Sequence, residues 1–527
     1  MSRKPLKLLQ FLRRLPGRGF ARAEGGNIAI WTAASVLPIA LFVGAATDFR
    51  RVEMARSTAQ DAADAAVLAA AKSYLADGRT GEGKRRKAAE AAVEASLKAN
   101  LEGRDAVIRD LRWDLEVGEG GREFNLLTRA RMPAAFGALF GISDLPVRVA
   151  SSASLGMKRA EVALVLDNTG SMYGRKLDTL KTSAADLVDR LGEIGAERND
   201  PRAMRIALVP FSMTVNVGAK YASADWIDHD ARSPVHRALF TTSQPVNRFE
   251  LLASMKETWA GCVENRPYPH DVRESEPSRG DPETLYVPYF APDEPGNGAT
   301  AGQYSNDYLP DVVNAPDEAT LQGNVEKYVA ATPRTGSSTT GYAYGPNAGC
   351  HLTQLVPLTH ERAAVKTGIA NMKAVGDTNI PMGLMWGWHA LSPKGPLADA
   401  VDYRKSDTVK IAILMTDGQN NVTPVSNHNG ALYSGVGYMG QLGVKSASTR
   451  EARRAVLDER LGELCANMKR RGVVIYTIRV EVNEGSDEVL RTCASKPSGF
   501  FNVQNVSELP GVFNTIADSI TGLRLSR

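Results

Sequence analysis

The residues best suited to chemistry form a short loop rich in oxygen donors. Asp167, Thr169 and Ser171 fall within five positions, directly after the apolar run Val162–Leu166. Such a run predicts a strand that is buried on both faces of a parallel sheet. One carboxylate and two hydroxyls are hard donors that suit Mg²⁺ or a similar ion. The pattern therefore predicts a metal site at the carboxyl end of a strand, where open α/β sheets bind ligands.

Two later segments extend this prediction. Thr378 lies in the stretch Gly376–Ile380, between an amphipathic segment over 360–374 and a predicted helix over 381–391. Asp417 follows a second apolar strand. Taken alone, an Asp-Gly pair after a strand is usually a turn, and Gly-x-Thr before a helix is usually a cap. Their order, and their positions at the ends of elements, favour one shared site.

The rest of the chain after residue 160 alternates strands with helices. The predicted strands are Arg205–Phe211, Val473–Val480 and 499–505, and further predicted helices cover 176–191, 452–472 and 507–520. This alternation predicts an α/β fold with a doubly wound, mostly parallel sheet.

Two irregular stretches, 220–358 and 420–448, interrupt this α/β pattern. The first is rich in Pro, Gly, Asn and Asp, which favour turns, and it holds nine of the chain's 15 tyrosines. A structureless loop of that length is unusual inside a compact domain, so we expect a semi-ordered subdomain near the metal face. Exposed tyrosines in such a place would suit recognition. The alternative is a solvated decoration.

The N-terminal region predicts one membrane-spanning helix. Residues 25–47 carry no charge, and about 20 apolar helical residues span a bilayer core. Residues 1–24 form a basic tail, whereas the charges just after the span nearly cancel. The positive-inside rule then places the N-terminus in the cytoplasm and the bulk of the chain outside it. The alternatives are a cleaved signal peptide and a buried helix of a soluble protein.

The charge distribution argues against a nucleic-acid partner. The net charge is +4, but the first 22 residues hold all of this excess, with seven basic groups and no acid. A short basic tail differs from the basic domain face that nucleic-acid binding requires.

Residues 48–159 predict Ala-rich helices followed by a small β region. Alanines recur there at helical spacing (Ala62, Ala65, Ala66, Ala69 and Ala70) and form a smooth face. This face fits two arrangements equally, a contact with another subunit or an intramolecular helical hairpin. Alternating residues over 107–155 then predict strands.

The four cysteines predict two disulfides. None lies in a Cys-x-x-Cys pair, so the pattern does not support a zinc or redox motif. Cys262 and Cys350 share the first irregular stretch, and Cys465 and Cys493 flank one predicted strand. We therefore predict the pairs Cys262–Cys350 and Cys465–Cys493 in an oxidising compartment. The alternative is four buried free thiols.

Together, the oxygen-donor residues resemble the metal-ion-dependent adhesion site of the von Willebrand factor A domain. That family's pattern is Asp-x-Ser-x-Ser, then a Thr, then an Asp. It maps onto Asp167, Thr169, Ser171, Thr378 and Asp417, with a Thr in place of the first Ser. The resemblance implies a Rossmann-like domain over 160–527 that binds Mg²⁺, or Mn²⁺ or Ca²⁺. It also implies a protein partner that supplies a carboxylate to the metal.

The N-terminal region resembles TadG-like proteins of the bacterial Tad (Flp) pilus assembly machinery. The resemblance rests on the segment from Glu24 to Ile30, the apolar run that ends at Asp48, and the Ala-rich stretch from Gln60. It implies a single-pass protein of the bacterial inner membrane, with its bulk periplasmic or extracellular. Pilus assembly or pilin-like subunits would be its partners.

These features predict a binding protein rather than an enzyme, acting in Tad/Flp pilus assembly or in adhesion. One alternative is a structural pilus or envelope scaffold with an idle metal site. The other is a metal-dependent hydrolase, for which Asp377 and His389 are the available base candidates.

Overall fold

The computed structural model describes most of the chain, and the described residues form two compact units divided at Gly156. The described residues are 27–76, 82–104, 107–118, 123–154, 159–196, 201–296, 304–311, 315–337, 342–405, 407–439, 449–482 and 488–525. The predicted basic tail over 1–24 lies outside them.

The first unit packs two helices on a three-stranded antiparallel sheet. Its elements are α1 (Asn27–Ala76), α2 (Glu82–Leu101), β1 (Arg109–Val117), β2 (Glu123–Pro133) and β3 (Asp144–Ser154), with strand order β1-β2-β3. The alanines of α1 form the core together with residues of α2 and the sheet: Ala62, Ala66 and Ala70 are at most 1% exposed. The small Ala side chains let the helices approach closely. The Ala face thus serves the intramolecular arrangement.

Helix α1 contains the described part of the segment that the sequence predicts to span a membrane. Residues 27–47 are its first part, and the helix continues to Ala76 without a break. In the described part of the chain, no helix combines the length and apolarity needed to cross a bilayer. The prediction of a transmembrane helix over 25–47 is therefore not supported.

The second unit is built on a six-stranded sheet. Its strands are β4 (Arg159–Asp167), β5 (Met204–Phe211), β8 (Val356–Thr359), β9 (Thr408–Thr416), β10 (Val474–Val480) and β11 (Phe500–Val503). Their order across the sheet is β11-β10-β9-β4-β5-β8, and all neighbouring pairs are parallel except β5 and β8, which are antiparallel. This confirms the predicted mixed α/β fold with a mostly parallel sheet.

Helices cover both faces of this sheet. They are α3 (Arg175–Ala196), α6 (Arg362–Ala370), α7 (Ile380–Leu391), α8 (Arg450–Arg470), α9 (Glu488–Cys493) and α10 (Leu509–Leu525). Leu164 of β4 packs in the layer of α3, α6 and α10, whereas Val165 packs in the layer of α7, α8 and α9. Successive strand residues point to opposite faces, so a strand between two helical layers has no polar face. This explains the unbroken apolar runs.

The irregular stretch over 220–358 is ordered around buried aromatic rings. It contains α4 (Arg248–Ser254), α5 (Glu318–Gln322) and the strand β7 (Cys262–Val263), which pairs with β6 (Val215–Asn216). The prediction of exposed tyrosines is wrong for five of the nine: Tyr304 is 7% exposed, and Tyr286, Tyr289, Tyr308 and Tyr328 are at most 1% exposed. The ring of Tyr286 packs 4.7 Å from that of Trp386 on α7. Aromatic rings bury large apolar areas, which compensates for the lack of regular structure.

Both predicted disulfides are confirmed. Cys262 is bonded to Cys350, and Cys465 of α8 is bonded to Cys493 of α9. The first closes the irregular stretch onto itself, and the second ties together two helices of one layer.

The buried His236 predicts a pH dependence of stability. Its Nε2 lies 3.0 Å from the carbonyl oxygen of Asp228, and its Nδ1 accepts a hydrogen bond from the backbone N–H of Arg248. Both nitrogens are therefore satisfied in the neutral ring. Burial, and then the charge of Arg248, lower the pKa of His236 to about 3.

Between pH 3 and the unfolded pKa of about 6.5, the folded state binds fewer protons at His236 than the unfolded state does. Its contribution is therefore complete above that unfolded pKa and is lost as the pH falls. Between pH 7.5 and pH 5 the loss amounts to about 2 kcal/mol. Urea unfolding at pH 7.5 and at pH 5 measures this loss in the wild type and in His236→Gln. Between these two pH values, the free energy of unfolding should fall by about 2 kcal/mol less in the variant than in the wild type. The exposed His351, replaced by Gln, is the control, and an equal pH dependence in all three proteins would contradict the prediction.

Candidate functional site

The loop after β4 places the first predicted ligands at the carboxyl edge of the sheet. Asp167 is the last residue of β4 and is fully buried. Its Oδ1 accepts the backbone N–H of Thr169 at 2.8 Å, and its Oδ2 accepts the hydroxyl of Thr416 at 2.6 Å. The Thr169 and Ser171 hydroxyl oxygens are 3.0 Å apart. One carboxylate is thus held in place while two hydroxyls converge beside it.

The end of the neighbouring strand β9 supplies the second carboxylate. Asp417 directly follows β9, which pairs in parallel with β4, so the two strand ends lie at the same edge. The Ser171 hydroxyl donates to Asp417 Oδ1 at 2.6 Å, and the Lys176 ammonium donates to Asp417 Oδ2 at 2.7 Å. Four of the five predicted residues are therefore joined by one chain of hydrogen bonds.

Thr378 lies beside this group on the loop before α7. Its backbone exchanges two hydrogen bonds with Asn421, at 3.1 and 2.9 Å. A Cβ added to Gly418 would lie 3.9 Å from the Thr378 hydroxyl oxygen, which places that hydroxyl next to the β9 terminus. All five residues predicted from the sequence thus lie at one edge of the sheet.

A glycine allows the two loops to approach each other. The Gly170 N–H donates to the Gly376 carbonyl at 2.9 Å. Gly376 has a φ of +78°, and a Cβ there would lie 2.6 Å from Ser212 Oγ. Residues with a side chain rarely adopt this conformation, so the contact depends on glycine.

Two buried carboxylates, Asp167 and Asp417, lie close together at the site. Burial, and then the negative charge of Asp417, raise the pKa of Asp167. A divalent cation would stabilise both carboxylates in their charged forms. The donors fit Mg²⁺ because they are hard oxygens, although the described residues contain no group of three or more His, Cys, Asp or Glu side chains arranged for a metal.

The site meets solvent at Ser171. Ser171 is exposed, and the nearby Tyr173 is 84% exposed. The other four predicted ligands are at most 6% exposed, so a partner would have to approach beside Ser171 and Tyr173.

The two base candidates for a hydrolase do not lie together. Asp377 is next to Thr378, but its carboxylate accepts hydrogen bonds from Thr423 and Asn421, and burial raises its pKa. His389 is fully buried towards the opposite end of α7, with its Nε2 2.8 Å from the Tyr286 hydroxyl. The structure therefore does not place Asp377 and His389 together as a catalytic pair at the site.

The sequence pattern did not identify two residues of the site. Thr416 precedes the predicted Asp417 and orients Asp167, and Lys176 pairs with Asp417. Lys176 follows Ser171 by five positions, at the start of the helix that leaves the loop. That spacing was the available signal, because the first turn of such a helix must lie beside the loop.

Comparison with known families identifies the N-terminal part of the chain. Residues 26–73 match the Tad family of putative Flp pilus-assembly TadE/G-like proteins. The predicted resemblance to TadG-like proteins is thereby confirmed. The Tad-like segment contains most of α1, including the alanines that pack in the first unit. No curated protein matches the chain.

Solved structures similar to this chain include three pilus proteins. The von Willebrand factor domain of the type V pili tip protein Mfa5 from Porphyromonas gingivalis is 12% identical over 70% of this chain and 97% of its own, with a TM-score of 0.32. The tip pilin GBS104 of Group B Streptococcus agalactiae is 12% identical over 69% of this chain and 100% of its own, with a TM-score of 0.33. The pilus adhesin RrgA of Streptococcus pneumoniae is 10% identical over 78% of this chain and 50% of its own, with a TM-score of 0.32. The fold assignment rests on the sheet topology given above.

Proposed function

We propose that this chain is a non-enzymatic pilus-assembly or adhesion protein whose α/β unit binds a protein partner through a divalent cation. The convergence of Asp167, Thr169, Ser171 and Asp417 at the carboxyl edge of the sheet carries the proposal. The Tad-like segment supports the pilus context and a membrane-associated or extracellular location. The two disulfides agree with an oxidising compartment.

The proposed ligand set also indicates what the partner supplies. Mg²⁺ prefers about six oxygen ligands in octahedral geometry. Asp167, Thr169, Ser171, Thr378 and Asp417 offer at most five side-chain groups, and the exposed side next to Tyr173 remains accessible. A carboxylate of the partner would complete the shell with a hard, negatively charged oxygen. Binding would then depend on the metal and be reversible by chelation.

A metal titration tests this proposal. The full-length wild type, Asp167→Ala and Asp417→Ala are titrated with Mg²⁺ and Mn²⁺ by calorimetry, with Asp178→Ala as a control that removes an exposed acid from α3. We expect saturable binding by the wild type and the control, and none by the other two variants. Binding that survives both substitutions would contradict the assignment of the site.

A structural scaffold with an idle metal site is the second candidate, because Asp417 is already paired with Lys176. Pilus counts by electron microscopy distinguish the two functions. Cells that carry Asp417→Ala should have few pili, or pili that no longer adhere, if the metal mediates binding. Normal pili and normal adhesion would favour the scaffold.

A further inference from the structure

Lys176 has a contact that the five-residue metal pattern does not explain. It lies in the first turn of α3, and its ammonium is 2.7 Å from Asp417 Oδ2. The Asp417 side chain is fully buried, whereas that of Lys176 is 24% exposed. Because Ser171 donates to the other oxygen, both oxygens of Asp417 are engaged.

This arrangement conflicts with metal binding at Asp417. A lysine ammonium has three donors and no lone pair, so it can pair with the carboxylate but cannot share in coordinating a cation. A divalent ion and an ammonium against one buried carboxylate repel each other strongly, since charge interactions are weakly screened there. Each cation therefore weakens the binding of the other at Asp417.

The neighbouring basic residue shows that the contact is specific to Lys176. Arg175 turns away and pairs with Glu481 at 3.3 Å. Of these two neighbouring basic residues, Lys176 is therefore the one that pairs with the buried Asp417. The long, partly exposed lysine side chain can swing out into solvent, which the buried aspartates cannot do.

We propose that Lys176 is a built-in competitor of the divalent cation, which holds Asp417 in the metal-free protein and is displaced when the metal binds. The inference rests on the proposed metal site. The site then has two alternative cations, the Lys176 ammonium and the metal ion. Their competition sets the metal concentration at which a partner can bind.

Calorimetric titration of the full-length protein with Mg²⁺ and Mn²⁺ tests this role. Lys176→Met should bind the metal at least about tenfold more tightly than the wild type, because the competing charge is gone. Lys176→Gln should also bind more tightly, and its amide can still donate to Asp417 if the Met variant folds poorly. Lys181→Met, which removes the same charge further along α3, should leave the affinity unchanged.

Thermal unfolding gives a second, independent readout. In chelator, Lys176→Met should melt at a lower temperature than the wild type, because Asp417 is buried without its counter-ion. At saturating Mg²⁺ the difference should shrink or reverse. A merely structural lysine would lower the melting temperature equally in both conditions, and this result would overturn the proposal.

The outcomes separate this inference from the proposed function. If the wild type binds metal, Asp417→Ala does not, and Lys176→Met binds no more tightly than the wild type, then only the role of Lys176 is wrong. If neither the wild type nor the Lys176 variants bind either metal, then the metal site itself is wrong and the inference falls with it.

Discussion

Replacing Arg248 by methionine should lower the free energy of unfolding by about 3 to 5 kcal/mol, because it removes the buried guanidinium that forms an ion pair with the Glu264 carboxylate. Both side chains are fully buried and form an ion pair. The guanidinium also donates to three backbone carbonyls: Val235 at 2.6 Å, Pro288 at 3.1 Å and His236 at 3.2 Å. The substitution therefore removes the counter-ion of a buried carboxylate and one hydrogen-bond donor from each of three carbonyl groups.

Hydrogen bonds around the Arg248–Glu264 pair also join the two irregular stretches, 220–358 and 420–448. The Tyr433 hydroxyl, in the second stretch, donates to the same Glu264 oxygen. In the first stretch, His236 accepts the backbone N–H of Arg248. The loss of the guanidinium should therefore loosen both segments that border the candidate site, in addition to lowering global stability.

Urea unfolding followed by tryptophan emission measures this effect, since four tryptophans of the second unit are buried. Arg279→Met is the matched control: it removes a 60% exposed arginine from the same stretch and should change stability by less than about 0.5 kcal/mol. Adding Glu264→Gln to Arg248→Met should recover part of the loss, because the buried negative charge is gone. A loss below about 1 kcal/mol for Arg248→Met would refute a dominant role for the pair.

The sheet and the site edge were predictable because their signals are local. A strand between two helical layers must be apolar throughout, so the run Val162–Leu166 marks the centre of β4. The predicted Arg205–Phe211 and Val473–Val480 lie within one residue of β5 and β10 for the same reason. Parallel strands then bring their carboxyl ends together, which places Asp167 and Asp417 side by side.

The irregular stretches were not predictable in the same way. Turn-forming residues show where regular structure is absent, but not which side chains meet. Tyr286 packs on Trp386, one hundred positions later in the chain, and no periodic pattern encodes that contact. Likewise, the pairing of Lys176 with Asp417 spans 241 residues. Such contacts follow from the completed sheet, which sets the two segments side by side.

Removing the disulfide Cys262–Cys350 should cost more stability than removing Cys465–Cys493. The first bridges a sequence separation of 88 residues and the second one of 28. A longer closed loop restricts the unfolded chain more, and chain-entropy estimates give about 4.5 kcal/mol for the first and about 3.5 kcal/mol for the second. Urea unfolding of the double variants Cys262→Ala/Cys350→Ala and Cys465→Ala/Cys493→Ala measures both losses.

The position of the first disulfide adds to its expected effect. Cys262 lies on β7, which pairs with β6 just after β5 of the main sheet, so the bridge fixes the irregular stretch next to the strand that follows the Asp167 loop. Opening it should free this stretch, whereas opening the second bridge loosens only the packing of α8 and α9. If the second double variant proved the less stable of the two, the loop-length argument would be wrong, and native packing around α8 would dominate instead.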